Sequence, residues 1–453
     1  MASKWDLIVV GAGPAGCTAA KFAAEKKLKV LLLERAKDPG EKNMSGSYLF
    51  RPICEECFPE FPDADCLKDM PRWGGIDFRW AIDNDEKVYG MYAGPGSDAM
   101  KLQYSVFRDE TDAWFVKQAV KAGAELKRAL ATDVIWENEQ KQRVIGVVTD
   151  VGNFEAPMTI DASGLHSLIG AKAGLANWTK DKIMLGLKYI FKMDPKVLRA
   201  RMRCYKDTDG VDVDWGTCPM LCGSNPDHFG CHATGMPERG IVSIAYYWAL
   251  NEGIEFRCNV HQRAQWYLKQ PQVAALIEGA EFVQCNFHGL AAGDLVGYVK
   301  KSYLPGLVLA GDSGGFGQPV DNYGANVAMW LGRLAGELAA EMKEKKDYSE
   351  AMFAKYEETW RDSWVGDDDV HELCTWLRDG SMAEIFEVMD ESVCAAANAK
   401  WNDKPYPDMI MGMLPTMLKA FPSIQTLLYG LKGVTRTGLK RVEPFMAMLN
   451  MMK

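Results

Sequence analysis

Two short runs of consecutive apolar residues lie near the start of the chain, separated by a turn and a helical stretch. Leu7 to Val10 and Val30 to Leu33 contain no polar residue, which is typical of parallel strands buried on both faces. The pattern therefore predicts a strand, a tight turn, a helix and a second strand within residues 5 to 35.

The turn after the first predicted strand is rich in glycine. Gly11 permits the sharp bend, Gly13 lets the backbone approach a pyrophosphate, and Gly16 lets the helix pack near the strand. Glu34 follows the second strand, where its carboxylate can accept hydrogen bonds from ribose hydroxyls. A plain glycine turn would not explain Glu34, so the segment predicts dinucleotide binding. The residues assigned to this site are Gly11, Gly13, Pro14, Ala15, Gly16, Glu34 and Arg35.

The position of this fingerprint identifies the dinucleotide. Two-domain flavoproteins usually bind FAD with a fingerprint that lies within their first dozen residues. No second GxGxxG occurs downstream in this chain. An enzyme with a separate NAD(P)H domain would show a second fingerprint, so we expect FAD and another route for the electrons.

A second glycine-rich signature spans residues 306 to 319. A buried strand ends at Gly311 and Asp312, whose carboxylate can accept hydrogen bonds from the ribityl hydroxyls of FAD. The next helix is predicted to begin near Gly324, and its positive end would stabilise an anionic reduced flavin. The residues assigned here are Gly311, Asp312, Pro319, Gly324, Ala325 and Asn326.

Outside the two signatures, the hydrophobic pattern divides the chain into β-rich and helical segments. Residues 71 to 104 and 176 to 290 contain β-like pieces, whereas apolar residues at helical spacing follow Arg108. Residues 143–149 and 156–160 are predicted to form a hairpin around Gly152. The acid-rich residues 357–372 are predicted to form a solvated helical stretch.

The predicted fold is α/β: a Rossmann-type FAD-binding domain with a parallel βαβ sheet, an antiparallel-sheet substrate domain and a helical C-terminal region. The predicted FAD-binding domain comprises residues 1–75, 100–175 and 290–345. The substrate domain comprises 76–99 and 176–289, and the C-terminal region comprises 346–453.

Composition limits the functional classes. The 453 residues carry a net charge of −9, and no basic face is apparent, which argues against nucleic acid as a partner. No apolar run has the length of a spanning helix, and no signal peptide is recognised. We expect a cytoplasmic protein, or one attached to a membrane surface.

The C-terminal residues 409–453, called the basic tail, contain six Lys or Arg and one acidic residue. This composition is suited to binding a lipid surface or a partner, and equally to a helical domain packed on the core.

The 12 cysteines are interpreted as reduced thiols. Cys54, Cys57 and Cys66 form one group of three, and Cys218, Cys222 and Cys231 form another, whereas a closed metal site normally has four ligands. Core packing is favoured and no metal site is assigned, although a cluster assembled from both groups stays open.

The loop Gly40-Glu-Lys-Asn43-Met44-Ser45-Gly46 carries a family resemblance. With the two signatures above, the second of which resembles a GDxxGFxxP motif, the chain resembles the electron-transfer-flavoprotein:quinone oxidoreductases. It is most similar to their Fix-type members, within the geranylgeranyl-reductase-like flavoproteins.

The resemblance implies further site residues. Asn43, Met44, Ser45 and Gly46 would border the flavin, and Arg108 would contact FAD. Val134 would lie on the strand that flanks adenine. Gly164 and Ser167 match a third family motif, in which Ser163 replaces the usual acid. The residues assigned on this basis are Asn43, Met44, Ser45, Gly46, Arg108, Val134 and Gly164.

The resemblance implies an FAD-dependent oxidoreductase that passes electrons between a protein carrier and a quinone or other hydrophobic acceptor. The carrier would be of the electron-transfer flavoprotein or ferredoxin type. Two alternatives stay open: a flavin-dependent reductase of carbon-carbon double bonds, and a relay subunit of an electron-transfer complex. The C-terminus lacks the clustered cysteines of the full-length quinone oxidoreductases. No catalytic acid or base is assigned.

Overall fold

The structure is a computed structural model. It describes residues 4–41, 46–68, 70, 73–82, 87–93, 103–180, 183–202, 205–206, 212–223, 229–255, 257, 259–291, 300–316 and 324–366. The strands are β1 Leu7–Val10, β2 Val30–Glu34, β3 Gly46–Phe50, β4 Trp73–Ile82, β5 Lys87–Ala93, β6 Gln103–Phe107, β7 Glu125–Arg128, β8 Ala131–Trp136, β9 Val144–Thr149, β10 Gly152–Glu155, β11 Thr159–Asp161, β12 Ile183–Lys192, β13 Tyr205–Lys206, β14 Asp212–Gly223, β15 Phe229–Met236, β16 Ile241–Ala249, β17 Glu281–Ala291, β18 Tyr303–Leu304 and β19 Leu307–Leu309. The helices are α1 Pro14–Glu25, α2 Arg51–Cys57, α3 Arg108–Ala122, α4 Leu168–Lys172, α5 Pro195–Arg201, α6 Leu250–Glu255, α7 Val260–Leu268, α8 Pro271–Ile277, α9 Gly324–Lys345 and α10 Glu350–Arg361.

A six-stranded sheet in the order β18-β19-β11-β1-β2-β7 carries the first signature. The pairs from β19 to β7 are parallel, and only β18 is antiparallel. Leu7 and Val9 pack with α1, α3 and α9 on one face, whereas Ile8 and Val10 pack with β8 and β9 on the other. Burial on both faces explains why the strand sequence has no polar position.

The smaller sheet β10-β9-β8 packs against that second face.

The hairpin prediction is right for its first arm and wrong for its second. β9 turns back into β10, Gly152–Glu155, while residues 159–161 form β11 between β1 and β19 in the parallel sheet. Met158 and Ile160 are fully buried, and a central parallel strand buries such side chains better than a hairpin arm at the surface.

Helices α1 and α9 lie against each other on one face of the parallel sheet. A Cβ at Gly332 would overlap the carbonyl oxygen of Ala15, and one at Gly336 would lie 2.6 Å from that of Ala19. The two glycines, four residues apart on one face of α9, therefore allow backbone contact with α1. This contact connects the first signature to the second.

Helix α10 is more buried than its acidic sequence predicts. Trp360 is fully buried, and its indole N–H donates to Ser302 Oγ at 2.9 Å. The hydroxyl of Tyr356 donates to the carbonyl oxygen of Leu309 at 2.8 Å. The prediction of a solvated stretch is thus wrong for the described part, because one face of the helix seals the edge of the parallel sheet.

An eight-stranded sheet forms the second layer, in the order β17-β12-β16-β15-β14-β4-β5, with β13 paired to β14. Its strands come from residues 73–93 and from residues 183–291. Leu187, Tyr189 and Phe191 of β12 pack with α5, α7 and α8 on one face. The other face of β12 therefore turns away from these helices.

The α/β fold class is confirmed. The domain boundaries stay a prediction, and the basic tail lies outside the described residues, which end at Gly366. No helix of the described segments is both long and apolar enough to cross a membrane.

We predict that Gly332→Ala lowers the free energy of unfolding by about 1 to 3 kcal/mol, the usual cost of overpacking. The methyl group would overlap Ala15 O, which is backbone and cannot rotate away. The measurement is the urea midpoint of the FAD-free protein at unchanged slope.

Gly324→Ala is the matched control on the same helix. Among the described atoms, a Cβ there would meet only Asp312 Oδ1, at 3.8 Å, so the midpoint should stay near that of the parent protein. Equal midpoints for both variants would contradict the proposed contact between α1 and α9.

Candidate functional site

The glycine turn between β1 and α1 is closed by its own backbone. A Cβ at Gly16 would overlap the carbonyl oxygen of Gly11, and Gly11 itself has φ +99° and touches the backbone of Ala162. A Cβ at Gly13, in contrast, would meet no described atom within 4 Å. Gly11 and Gly16 thus serve the fold, whereas Gly13 leaves open space beside the N-terminus of α1, where a pyrophosphate can bind.

Glu34 is only 8% exposed, and both of its carboxylate oxygens accept backbone hydrogen bonds. The N–H of Ala12 donates to Oε2 at 2.9 Å, and the N–H of Ala36 donates to Oε1 at 2.8 Å. A carboxylate has about four acceptor positions, so capacity for ribose hydroxyls is left. Glu34 therefore also holds the glycine turn, a second role that the sequence pattern did not reveal. The neighbouring Arg35 is exposed.

A second loop meets the glycine turn after β11. Asp161 is fully buried and accepts from the backbone N–H groups of Ser163 and Gly170 and from the hydroxyls of Ser163 and Ser167. Burial raises the pKa of this carboxyl, and the four donors act in the opposite direction. Gly164, with φ +75°, has no described atom within 4 Å of a Cβ position, so the loop presents backbone to open space.

Sequence reasoning missed Asp161. The signal was an acid that ends an apolar strand directly before a glycine loop. Its side chain orders the loop from within, so it is a structural counterpart of Glu34.

The second signature joins the first at Gly311. This residue has φ +67°, and a Cβ there would lie 3.3 Å from Ala15 Cβ and 3.1 Å from Ala328 Cβ. Residues of α1 and α9 are thus brought together at the carboxyl edge of the parallel strands. In α/β sheets this edge is where ligands bind.

Helix α9 begins at Gly324, as the sequence predicts. Asn326 in its first turn is 1% exposed, and its Oδ1 accepts from the N–H of Phe50 at 2.8 Å. Its Nδ2 has no hydrogen-bond partner among the described atoms. A buried donor without an acceptor costs about 1 to 3 kcal/mol, so Asn326 has a polar group that a bound ligand would satisfy. Ala325 lies beside it.

Arg108 begins α3 and pairs with Asp112 through two parallel hydrogen bonds, Nε to Oδ1 at 2.8 Å and Nη2 to Oδ2 at 3.0 Å. This bidentate geometry holds the guanidinium in one orientation. Burial raises the pKa of Asp312, and the nearby Arg108 partly offsets that rise. The cation therefore lies close to the carboxylate that was assigned to the ribityl chain.

Lys188 on β12 lies near the same charges. Burial lowers its pKa from 10.5 to about 7, and the charge of Arg108 acts in the same direction, whereas Asp112 acts against it. Sequence reasoning missed this residue, although a single lysine within the apolar strand Leu-Gly-Leu-Lys-Tyr-Ile-Phe was a signal.

Some assigned residues lie away from the group formed by Arg108, Asp312 and Lys188, and others are not among the described residues. Val134 on β8 is buried in the cluster that also contains Val10 and Leu33, against the face of the parallel sheet. Gly46 pairs with Phe107, the residue directly before Arg108. The assigned residues that the structure does not describe are Asn43, Met44, Ser45 and Pro319.

The first cysteine group is part of the core. Cys54, Cys57 and Cys66 are buried free thiols, and burial raises the pKa of Cys57 to about 12 and that of Cys66 to about 11. Within the described segments no group of three or more His, Cys, Asp or Glu is arranged to hold a metal ion. The side chains of the second cysteine group lie outside the described residues.

These features fit FAD. Gly13 and Gly164 leave the space that phosphate groups need, and Glu34 can hold the ribose. Asn326 offers a buried donor, and α9 directs its positive end toward the same edge.

We predict that Gly13→Ala changes FAD affinity, whereas Gly16→Ala changes the stability of the FAD-free protein. Gly13→Ala should leave the thermal midpoint of the FAD-free protein unchanged and weaken FAD binding by roughly 1 to 3 kcal/mol, because the methyl group displaces the phosphate from backbone donors. Gly16→Ala should destabilise the FAD-free protein itself, because the methyl overlaps Gly11 O. Thermal melts and fluorescence titration with FAD measure the two effects. A Gly13→Ala protein with parental affinity would refute the phosphate assignment.

We also predict that Glu34→Ala weakens FAD binding by roughly 1 to 3 kcal/mol, through the loss of charge-assisted hydrogen bonds. Release of the Ala12 N–H should disorder the turn as well. Glu125→Ala is the control, since Glu125 is an exposed acid on the edge strand β7. Unchanged affinity in Glu34→Ala, measured by the same titration, would disprove the ribose assignment.

The comparisons with known proteins agree with this geometry. The chain matches the family model described as FAD dependent oxidoreductase over residues 6–184. It is similar to Protein FixC of Bradyrhizobium diazoefficiens, with 29% identity over 382 residues, 80% of this chain and 82% of that protein. It is also similar to Protein FixC of Salmonella typhi, with 25% identity over 435 residues, 95% of this chain and 98% of that protein.

Solved structures with the same fold include a geranylgeranyl bacteriochlorophyll reductase-like protein from Thermoplasma acidophilum. It aligns with a TM-score of 0.67 at 21% identity, covering 92% of this chain and 96% of that one. A flavin-dependent brominase aligns with a TM-score of 0.62 at 16% identity, covering 98% of each chain. At these identities the structures bear on the fold alone. Fold, site and sequence relatives together identify the chain as an FAD-dependent oxidoreductase that is similar to the Fix-type flavoproteins.

Proposed function

We propose that this FAD-dependent oxidoreductase passes electrons between a protein carrier and a quinone or other hydrophobic acceptor. The observation that carries the proposal is the group of charges at the carboxyl edge, where Arg108, paired with Asp112, lies near Asp312 and the N-terminus of α9 begins beside Asp312. When bound, FAD supplies one- and two-electron chemistry. Positive groups beside it favour the reduced, more negative state, so the site is suited to accept electrons and hold them for a second partner.

The route of the electrons follows from the single fingerprint. The sequence contains one GxGxxG, which the adenine half of FAD occupies in this proposal. A nicotinamide dinucleotide would need another binding place, so the donor is a protein carrier of the electron-transfer flavoprotein or ferredoxin type. The relatives named FixC and the resemblance to the quinone oxidoreductases support this choice.

The acceptor is proposed to bind on the face of the eight-stranded sheet that is turned away from α5, α7 and α8. A hydrophobic molecule would reach this site from a membrane surface, and the basic tail would attract the protein to anionic lipid at about 1 kcal/mol for each basic residue.

A second candidate is a reductase of carbon-carbon double bonds. The observation that favours it is the fold shared with the geranylgeranyl bacteriochlorophyll reductase-like protein. Such a reaction needs the same reduced cofactor but an alkene in place of the quinone. A relay subunit of a larger electron-transfer complex is the third candidate.

We predict that the anaerobically reduced protein is reoxidised by soluble quinone analogues, and that NADH and NADPH do not rapidly reduce the oxidised protein. Stopped-flow absorbance in the flavin band measures both reactions. FAD-loaded protein without an acceptor is the control for spontaneous reoxidation.

The outcomes separate the candidates. Saturation of a polyprenyl substrate without quinone reaction would replace the proposal with the alkene reductase. Reaction with neither, together with a flavoprotein that co-purifies, would replace it with the relay. Fast reduction by NADH would contradict the assigned donor.

A further inference from the structure

Strand β17 is the end strand of the eight-stranded sheet in the described part of the molecule, and its exposed side chains are mostly apolar. Phe282 is 53% exposed, Val283 49% and Phe287 58%. Cys285, between them, is an exposed free thiol. We call these four residues the apolar strip. No Asp, Glu, Lys, Arg or Pro occurs from Phe282 to Ala291, although edge strands normally carry such residues to prevent pairing with other chains.

The apolar strip continues the face of the sheet that α5, α7 and α8 cover. Phe287 lies opposite Leu187 of β12, which packs with these helices. The ring of Phe282 lies 5.9 Å from that of Phe191, in the same cluster. Cys285 shares this face because side chains two residues apart in a strand point the same way. The strip therefore extends the apolar face past the helices, to a place where its side chains are exposed.

The strip runs toward the loops that are assigned to FAD. A Cβ at Gly289, two residues after Phe287, would lie 2.7 Å from Leu165 Cδ2, in the loop that follows β11. Strand β17 also contacts residues 311–314, which include the Asp312 assigned to the ribityl chain. A protein bound on the strip would therefore lie beside both loops of the cofactor site.

The area of the strip indicates which kind of complex it can form. An aromatic side chain has roughly 200 Å² of surface, so Phe282 and Phe287 together expose about 200 Å². With Val283 and Cys285 the strip reaches about 300 to 400 Å², in the range of functional apolar patches on monomers. A stable dimer buries about 800 Å² on each partner, whereas weak electron-transfer complexes bury less than about 600 Å² on each. The area thus favours a transient protein carrier over a second copy of this chain.

We propose that the apolar strip is the docking surface for the protein electron carrier, and that the carrier meets it with an apolar surface of its own. This proposal rests on the proposed function, because it requires a protein that delivers electrons to the bound FAD. It adds the place of docking and the chemistry of the contact. Since the strip carries no charge, binding of the carrier should depend little on salt.

The test follows reduction of the bound FAD by anaerobic stopped-flow absorbance, with purified reduced electron-transfer flavoprotein and purified reduced ferredoxin as carriers. In the parent protein, one of the two should give a rate that saturates with carrier concentration. The double variant Phe282→Ser/Phe287→Ser should need about tenfold more carrier to reach half of its maximal rate, because two apolar anchors are lost. Dithionite needs no docking surface, so it should reduce both proteins at the same rate. Between about 0.1 M and about 0.5 M salt, the half-saturating concentration should change less than about twofold.

The control variants separate docking from folding. Val151→Ser is the matched control, because Val151 is also 53% exposed but lies in the turn between β9 and β10. Phe287→Leu keeps an apolar side chain and should stay near the parent protein. The FAD content and thermal midpoint of each variant should match the parent, since the replaced phenylalanines are more than half exposed. If the double variant loses FAD, Phe287→Ser alone decides the test, because Phe287 is the more exposed of the two.

Cys285 reports docking without electron transfer. With both proteins oxidised, the carrier that reduces the parent protein should slow alkylation of Cys285 by N-ethylmaleimide, measured by peptide mass spectrometry. The double variant should lose this protection at the same carrier concentration.

Parental carrier kinetics in the double variant with full FAD content overturn the proposal. A Cys285 that is already inaccessible before any carrier is added also overturns it, because another part of this chain or a second copy then covers the strip. A parent protein that sediments as a dimer, and a double variant that sediments as a monomer, assign the strip to a second copy instead. Failure of the proposed function gives different results: neither carrier reduces the parent protein, which removes this proposal with it, or quinone fails to reoxidise the FAD while the carrier kinetics stay as described.

Discussion

Direct contact between backbones is the constraint on which this structure depends. Gly16 lets α1 start against the turn at Gly11, and Gly332 and Gly336 let α9 lie on α1 without intervening side chains. Because both helices begin at the carboxyl edge of the parallel sheet, their positive ends are directed at one place. Side chains at these glycines would separate the two signatures, and the FAD site would no longer be assembled.

Two buried carboxylates fix the loops beside these helices. Glu34 holds the glycine turn and Asp161 holds the neighbouring loop, in each case through backbone N–H groups that would otherwise lack partners. Both loops then present backbone to open space. Ligand binding can therefore begin on a surface whose conformation is already set, which reduces the entropy lost on binding.

The redox site combines charges from both layers of the molecule. Arg108 is fixed by Asp112, whereas Lys188 comes from the sheet that covers the site. A cation held in one orientation beside a flavin favours its reduced, more negative state. The site therefore draws charged side chains from α3 and from the eight-stranded sheet.

The sequence by itself determined the βαβ unit, the two FAD signatures, the start of α9 and the resemblance to Fix-type flavoproteins. These features depend on residues close together in the chain, so apolar runs and glycine spacing are sufficient to reveal them. Only the tertiary structure decided that residues 159–161 enter the parallel sheet, that Trp360 is buried, and that Lys188 lies beside Arg108. Those outcomes depend on packing between segments far apart in the chain. No local sequence pattern shows which strand an apolar segment will pair with. Nor does it show which charged side chains will lie close together away from water.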